Sequence, residues 1–155
     1  MNSQPQQNKV SDQRAFKRQR VTLLVLCAFV GLGALGGGGL ALISPDGTLM
    51  SAQLLIPALQ KIPIAGPYLD SLTLPACALL LFVFIPQTLA TILLIRKHSR
   101  QYPTSILCGC LLSLFTIGEI ILIFNLLSFL FLAFGVLEVG LALACRKHPQ
   151  HIHAL

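Results

Sequence analysis

Long apolar runs bounded by basic residues dominate the chain. Val21 to Ile43 carries no charge and follows directly on Lys17, Arg18 and Arg20. Leu72 to Ile95 is likewise uncharged and ends on Arg96, Lys97, His98 and Arg100. The last run, Ser105 to Cys145, contains only Glu119 and Glu138 as charged groups and closes on Arg146 and Lys147. A helix rises about 1.5 Å per residue, so about 20 apolar residues cross a hydrocarbon core of ~30 Å. The first two runs therefore predict one span each. The third is twice as long as a span requires, and Asn125, closely followed by Ser128, marks the place for a turn. The expected fold is all-α: four transmembrane helices at about 21–43, 72–95, 105–124 and 126–145, packed as an antiparallel bundle.

The polar segments fit around these spans. Residues 1–20 are Gln-rich and then basic, and are expected to form a disordered cytoplasmic arm. The first span is too long for the apolar region of a cleaved signal peptide and has no small-residue cleavage site after it, so it reads as an uncleaved anchor. The loop from Ser44 to Ser71 opens on Ser44-Pro45-Asp46-Gly47, a turn signal with proline second and glycine last. Within it, Leu54, Leu55, Ala58, Leu59 and Ile62 recur at helical spacing between Gln53, Gln60 and Lys61, which predicts a short interfacial helix in this first outer loop. Pro57 limits that helix to a turn or two. Its expected role is a lid on the outer end of the bundle. Residues 146–155 form a short cytoplasmic tail.

Composition narrows the class. Of 155 residues, 55% are hydrophobic and 10% charged, far from the roughly 25% charged content of soluble domains. The net charge of +6 suggests nucleic acid only until the cations are located. All but one fall in the arm (Lys9, Arg14, Lys17, Arg18, Arg20), the second connection (Arg96, Lys97, Arg100) and the tail (Arg146, Lys147). Four spans put those three segments on one side, where the positive-inside bias makes both termini cytoplasmic. Lys61 alone lies on the other side. The expected location is a cell membrane, with the lipid bilayer as partner and no nucleic acid.

The candidate chemistry lies in the two intramembrane acids. A carboxylate near the bilayer centre costs about 2.5–3.5 kcal/mol on insertion scales, so Glu119 and Glu138 should face the bundle interior. Helical rise puts Glu119 about 9 Å and Glu138 about 18 Å below the outer boundary, too far apart in depth to share a proton. Gln87 and Thr88 fall about 22 Å below the same boundary, near the level of Glu138. A hydrogen bond from Gln87 to Glu138 is the favoured internal contact, helped by the helix irregularity expected from Pro86. Two roles remain open for these side chains. They are either interhelical glue made of neutral acids or a proton or cation relay.

Other motifs read as structural. Gly31-Leu32-Gly33-Ala34-Leu35-Gly36 spells G-x-G-x-x-G, but no strand–turn–helix context or downstream acid supports a dinucleotide site. Gly31, Gly33 and Gly37 instead read as helix-packing positions, either inside the bundle or between copies. The five cysteines form no disulfide framework or metal chelate and read as small buried hydrophobes. His148, His151 and His153 belong to a flexible basic end rather than a metal site. No nucleophile lies beside a base and no phosphate loop is present, so neither enzymatic activity nor a metal or cofactor is expected.

Three segments carry a likeness. GGGGLALISPDGTLM, IPIAGPYL and FTIGEIILIF, in that order, resemble an uncharacterised family of small bacterial four-helix integral membrane proteins. The resemblance covers about residues 21–145 and implies a four-span architecture in the bacterial inner membrane. Members tend to carry an amide near the position of Glu119, where this chain has an acid. The family implies no activity. The leading expectation is a non-enzymatic accessory or interaction protein, working with a second copy or another membrane protein. The alternative is a small transporter or channel-like protein using Glu119 and Glu138.

Overall fold

The computed structural model describes residues 4–51, 53, 55–61, 66–122 and 126–147. No strand occurs among them. Four helices are long and apolar enough to cross a membrane, which makes the chain an all-helical, multi-pass membrane protein in character.

Helix α1 runs from Gln4 to Ile43. It takes in most of the segment expected to be a disordered arm. The reason is local: no glycine or proline interrupts Gln6 to Val30, and Gln, Lys, Arg and Ala are good helix formers. Once the apolar span has nucleated the helix, each added residue costs little.

The turn at Ser44–Gly47 forms as the sequence predicts. Gly47 N–H donates to the Ser44 carbonyl at 2.9 Å, and Gly47 takes φ 75°, a conformation that glycine adopts without strain. Leu72 N–H donates to the Pro45 carbonyl at 2.8 Å, joining the start of the loop to the start of the second span. A short helix, α2, covers Leu55–Leu59. Leu59 is buried with Ala41, Leu69, Leu72 and Ala76, so the loop packs on the bundle. Leu54 and Ile62 lie outside the described residues. At Gly66 a Cβ would stand 2.2 Å from the Gln60 carbonyl oxygen, so only glycine fits that approach.

The second span, Thr73–Ile95, is built from α3 (Thr73–Leu79), a π-helical turn (Leu80–Phe84) and α4 (Ile85–Ile95). Pro86 has no N–H, and its ring crowds the carbonyl four residues back. The wider turn immediately before it relieves that clash. The span ends in a Schellman turn, with His98 N–H donating to the Leu93 carbonyl at 3.1 Å. Lys97 supplies the left-handed residue, φ 53°, in place of the usual glycine.

Helix α5 spans Gln101–Leu122 and α6 spans Leu126–Arg146. The third span thus begins earlier than expected from its apolar run. Gln101 and Tyr102 are buried, and Pro103 falls in the first turn, where its missing N–H is tolerated. Asn125 lies outside the described residues. Ser128 lies inside α6, within the expected fourth span, and is buried.

Three clusters run along the bundle. Leu23, Cys27, Leu94, Tyr102, Cys108 and Cys145 belong to the first. Leu26, Val30, Ala34, Val83 and Leu112 form the second. The third is the loop cluster around Leu59 and Leu72. Around them the helices present large apolar side chains outward, such as Leu126 at 85% and Ile121 at 77% exposure. Such a surface suits lipid rather than water.

Candidate intramembrane polar site

Three spans converge on Glu138. Helix α6 places it at 0% exposure among the side chains of the bundle. Gln87 Nε2, from α4, donates to Glu138 Oε2 at 2.8 Å. Cys27 Sγ, from α1, donates to Glu138 Oε1 at 3.0 Å. Gln87 is 1% and Cys27 0% exposed, so the whole group is sealed from solvent. The hydrogen bond expected between Gln87 and Glu138 is therefore present. The thiol was not foreseen, because Cys27 reads as a small hydrophobe in an apolar run. A signal did exist. Cys27 and Gly31 are four residues apart and share one helix face.

Gly31 is what brings α1 this close. A Cβ there would lie 3.4 Å from Gln87 Cβ and 3.9 Å from the Thr88 nitrogen. Thr88 accordingly faces Gly31 rather than adding a hydrogen bond to Glu138. Gln87 Oε1 is buried with no partner among the described residues.

Other hydroxyls serve their own helices. Thr91, Ser105, Ser113 and Thr116 each donate to the carbonyl four residues earlier, at 2.8–2.9 Å. Such back-bonding satisfies a hydroxyl in an apolar setting without linking helices.

Glu119 has a different environment. It is half-buried and lines a cavity of about 290 Å³ between α1, the second span, α5 and α6. Gly33, Ala34 and Gly37 line the α1 side, with Leu55 and Leu72 toward the loop. Glu138, Gln87 and Thr88 do not line it. The four residues expected to form one polar site are thus divided: Gln87 and Glu138 are sealed together with Cys27, Thr88 faces Gly31, and Glu119 lines the cavity.

The three glycines singled out in the sequence face separate neighbours. Beyond Gly31, a Cβ on Gly33 would approach Phe131 at 3.9 Å and one on Gly37 would approach Leu79 at 3.7 Å. Tighter approaches between spans lie elsewhere. A Cβ on Gly109 would stand 2.8 Å from the Gly135 carbonyl oxygen, and one on Gly135 would stand 2.5 Å from Ser113 Oγ. That α5–α6 crossing was missed. Its signal was Ser105, Gly109 and Ser113, small residues at every fourth position.

At the loop, Asp46 Oδ1 accepts from the Ser44 hydroxyl, and at 3.0 and 3.2 Å from the Thr48 hydroxyl and N–H. These donors, Ser44 foremost, hold the Asp46 carboxyl below its usual titration range. At the other end, Arg20 Nη2 donates to the Leu94 carbonyl, so a cation meets the carbonyl end of α4. Compared with protein-family models, curated proteins and solved structures, the chain gives no match.

Proposed function

We propose that the chain is a multi-pass cell-membrane protein, with both termini cytoplasmic, that works as a non-enzymatic accessory or interaction protein. Its spans alternate in direction as an antiparallel bundle, and α2 lies at the outer interface. The clustering of Leu23, Leu94, Tyr102 and Cys145 supports that alternation, because each sits near a span end flanked by basic residues. Arg18, Arg96 and Arg146 are exposed beside that cluster, as the positive-inside bias requires of a cytoplasmic face.

The observation that carries this reading is the Cys27–Gln87–Glu138 triad. A relay needs its carboxyl to meet water or ions on both sides. Glu138 is instead fully enclosed, with both oxygens accepting hydrogen bonds from two other spans. A side chain in that position holds helices together. The small-transporter reading keeps one specific support, the cavity beside Glu119.

The test is proton and cation flux in proteoliposomes under an imposed pH gradient. Background-level flux in both wild type and the Glu119→Gln, Glu138→Gln double variant is the expected result. Wild-type flux that the double variant loses would overturn the accessory role in favour of transport.

A further inference from the structure

We propose that the cavity beside Glu119 binds an organic monocation with an apolar body, a small quaternary ammonium or protonated amine, with Glu119 as its counter-ion. The proposal rests on the membrane placement above but needs no transport. The space, about 290 Å³, is at the lower end of sites that hold small organic ligands, roughly 300 Å³ upward. Small residues on α1 create it: Gly33, Ala34 and Gly37 leave room that larger side chains would fill.

The lining chemistry selects the ligand. Among the described residues that line the cavity, Glu119 is the only ionisable one, and the rest are apolar except Thr116. The Thr116 hydroxyl donates to the Leu112 carbonyl at 2.9 Å, so its proton is committed to its own helix. No described residue donates a hydrogen bond to Glu119 or pairs with it. A carboxylate in an apolar cavity with no donor and no cation repels anionic amphiphiles and gains nothing from a hydrocarbon. A monocation with an apolar body satisfies the charge and fills the remaining volume. Phe115 and Phe131 add aromatic surface suited to a quaternary ammonium. The Phe131 ring is held edge-on to Phe134, with centroids 6.0 Å apart.

The experiment titrates the full chain, in nanodiscs of zwitterionic lipid, with benzyltrimethylammonium and measures bound probe by equilibrium dialysis. Wild type should bind saturably. Glu119→Gln should weaken binding about tenfold or more, the scale of one lost charge contact. Ala34→Phe, which fills the cavity, should abolish binding, and the uncharged isostere neopentylbenzene should not compete. A thermal melt of Glu119→Gln matching wild type excludes unfolding as the cause. Absence of saturable binding in folded wild type would overturn the proposal. So would equal affinity in Glu119→Gln, or equal competition by neopentylbenzene, either of which marks an apolar void indifferent to charge. Failure of the accessory reading registers separately, as flux in proteoliposomes, which dialysis does not detect.

Discussion

At the scale of single residues, the two acids in the membrane differ in what surrounds them. Glu138 has two donors and no access, and its value lies in connecting spans. Replacing Gln87 with Leu removes the shorter of its two hydrogen bonds and leaves a buried carboxyl served by a thiol alone. We expect this to cost about 1–2 kcal/mol, the upper range for interhelical hydrogen bonds in membranes. Cys27→Ala should cost less than about 1 kcal/mol, because a thiol is a weak donor. Reversible unfolding in mixed micelles measures both, and equal losses would show that the amide holds no special place. Asp46 offers a test in water. Its carboxyl is stabilised in the charged form by Ser44 and Thr48. The loop therefore gains stability above the ordinary carboxylate range and loses it as pH falls through the lowered folded-state value. Ser44→Ala should move the Asp46 titration, followed by carboxyl ¹³C shifts, upward toward the usual range. An unmoved curve would mean that the Ser44 hydroxyl contributes nothing.

At the scale of helices, glycine positions separate into two kinds. Gly109 and Gly135 face backbone atoms of the opposing helix, which cannot move aside as a side-chain tip can. Alanine at either should cost about 1–3 kcal/mol, the usual penalty for overpacking. Gly36 and Gly140 meet nothing within 4 Å, so alanine there should leave stability unchanged or raise it by up to about 1 kcal/mol through helix propensity. Thermal unfolding of the four variants would expose an inversion of that order. How far these elements were legible depends on what kind of signal each left. The spans were legible because lipid demands long uncharged runs, and the Gln87–Glu138 contact followed from depth alone. The extent of α1 was not, since hydropathy registers where a helix enters the membrane and is silent on where helix formers carry it beyond. Ser113 facing Gly135 was equally hidden. Depth assigns a level to a residue but not an azimuth, and azimuth decides which small residues meet.

At the scale of the whole molecule, the bundle is closed at one end and roomy at the other. The tyrosine and cysteine side chains of the first cluster fill the end near the basic connections, while the cavity lies toward the loop end, with Leu55 and Leu72 in its wall. Single cysteines at Ser99 and at Tyr68, introduced into a chain whose native cysteines are alanine, should react with impermeant maleimide from opposite sides. Ser99 should label only from the cytoplasm, and the reverse pattern would invert the topology. The triad also bears on how the protein is made. Cys27, Gln87 and Glu138 come from the first, second and fourth spans, so synthesis delivers them in that order. Until α6 enters the bilayer, the Gln87 amide already lies in hydrocarbon without its acceptor. An incompletely translated chain thus carries a polar group that its own missing helix would have quenched.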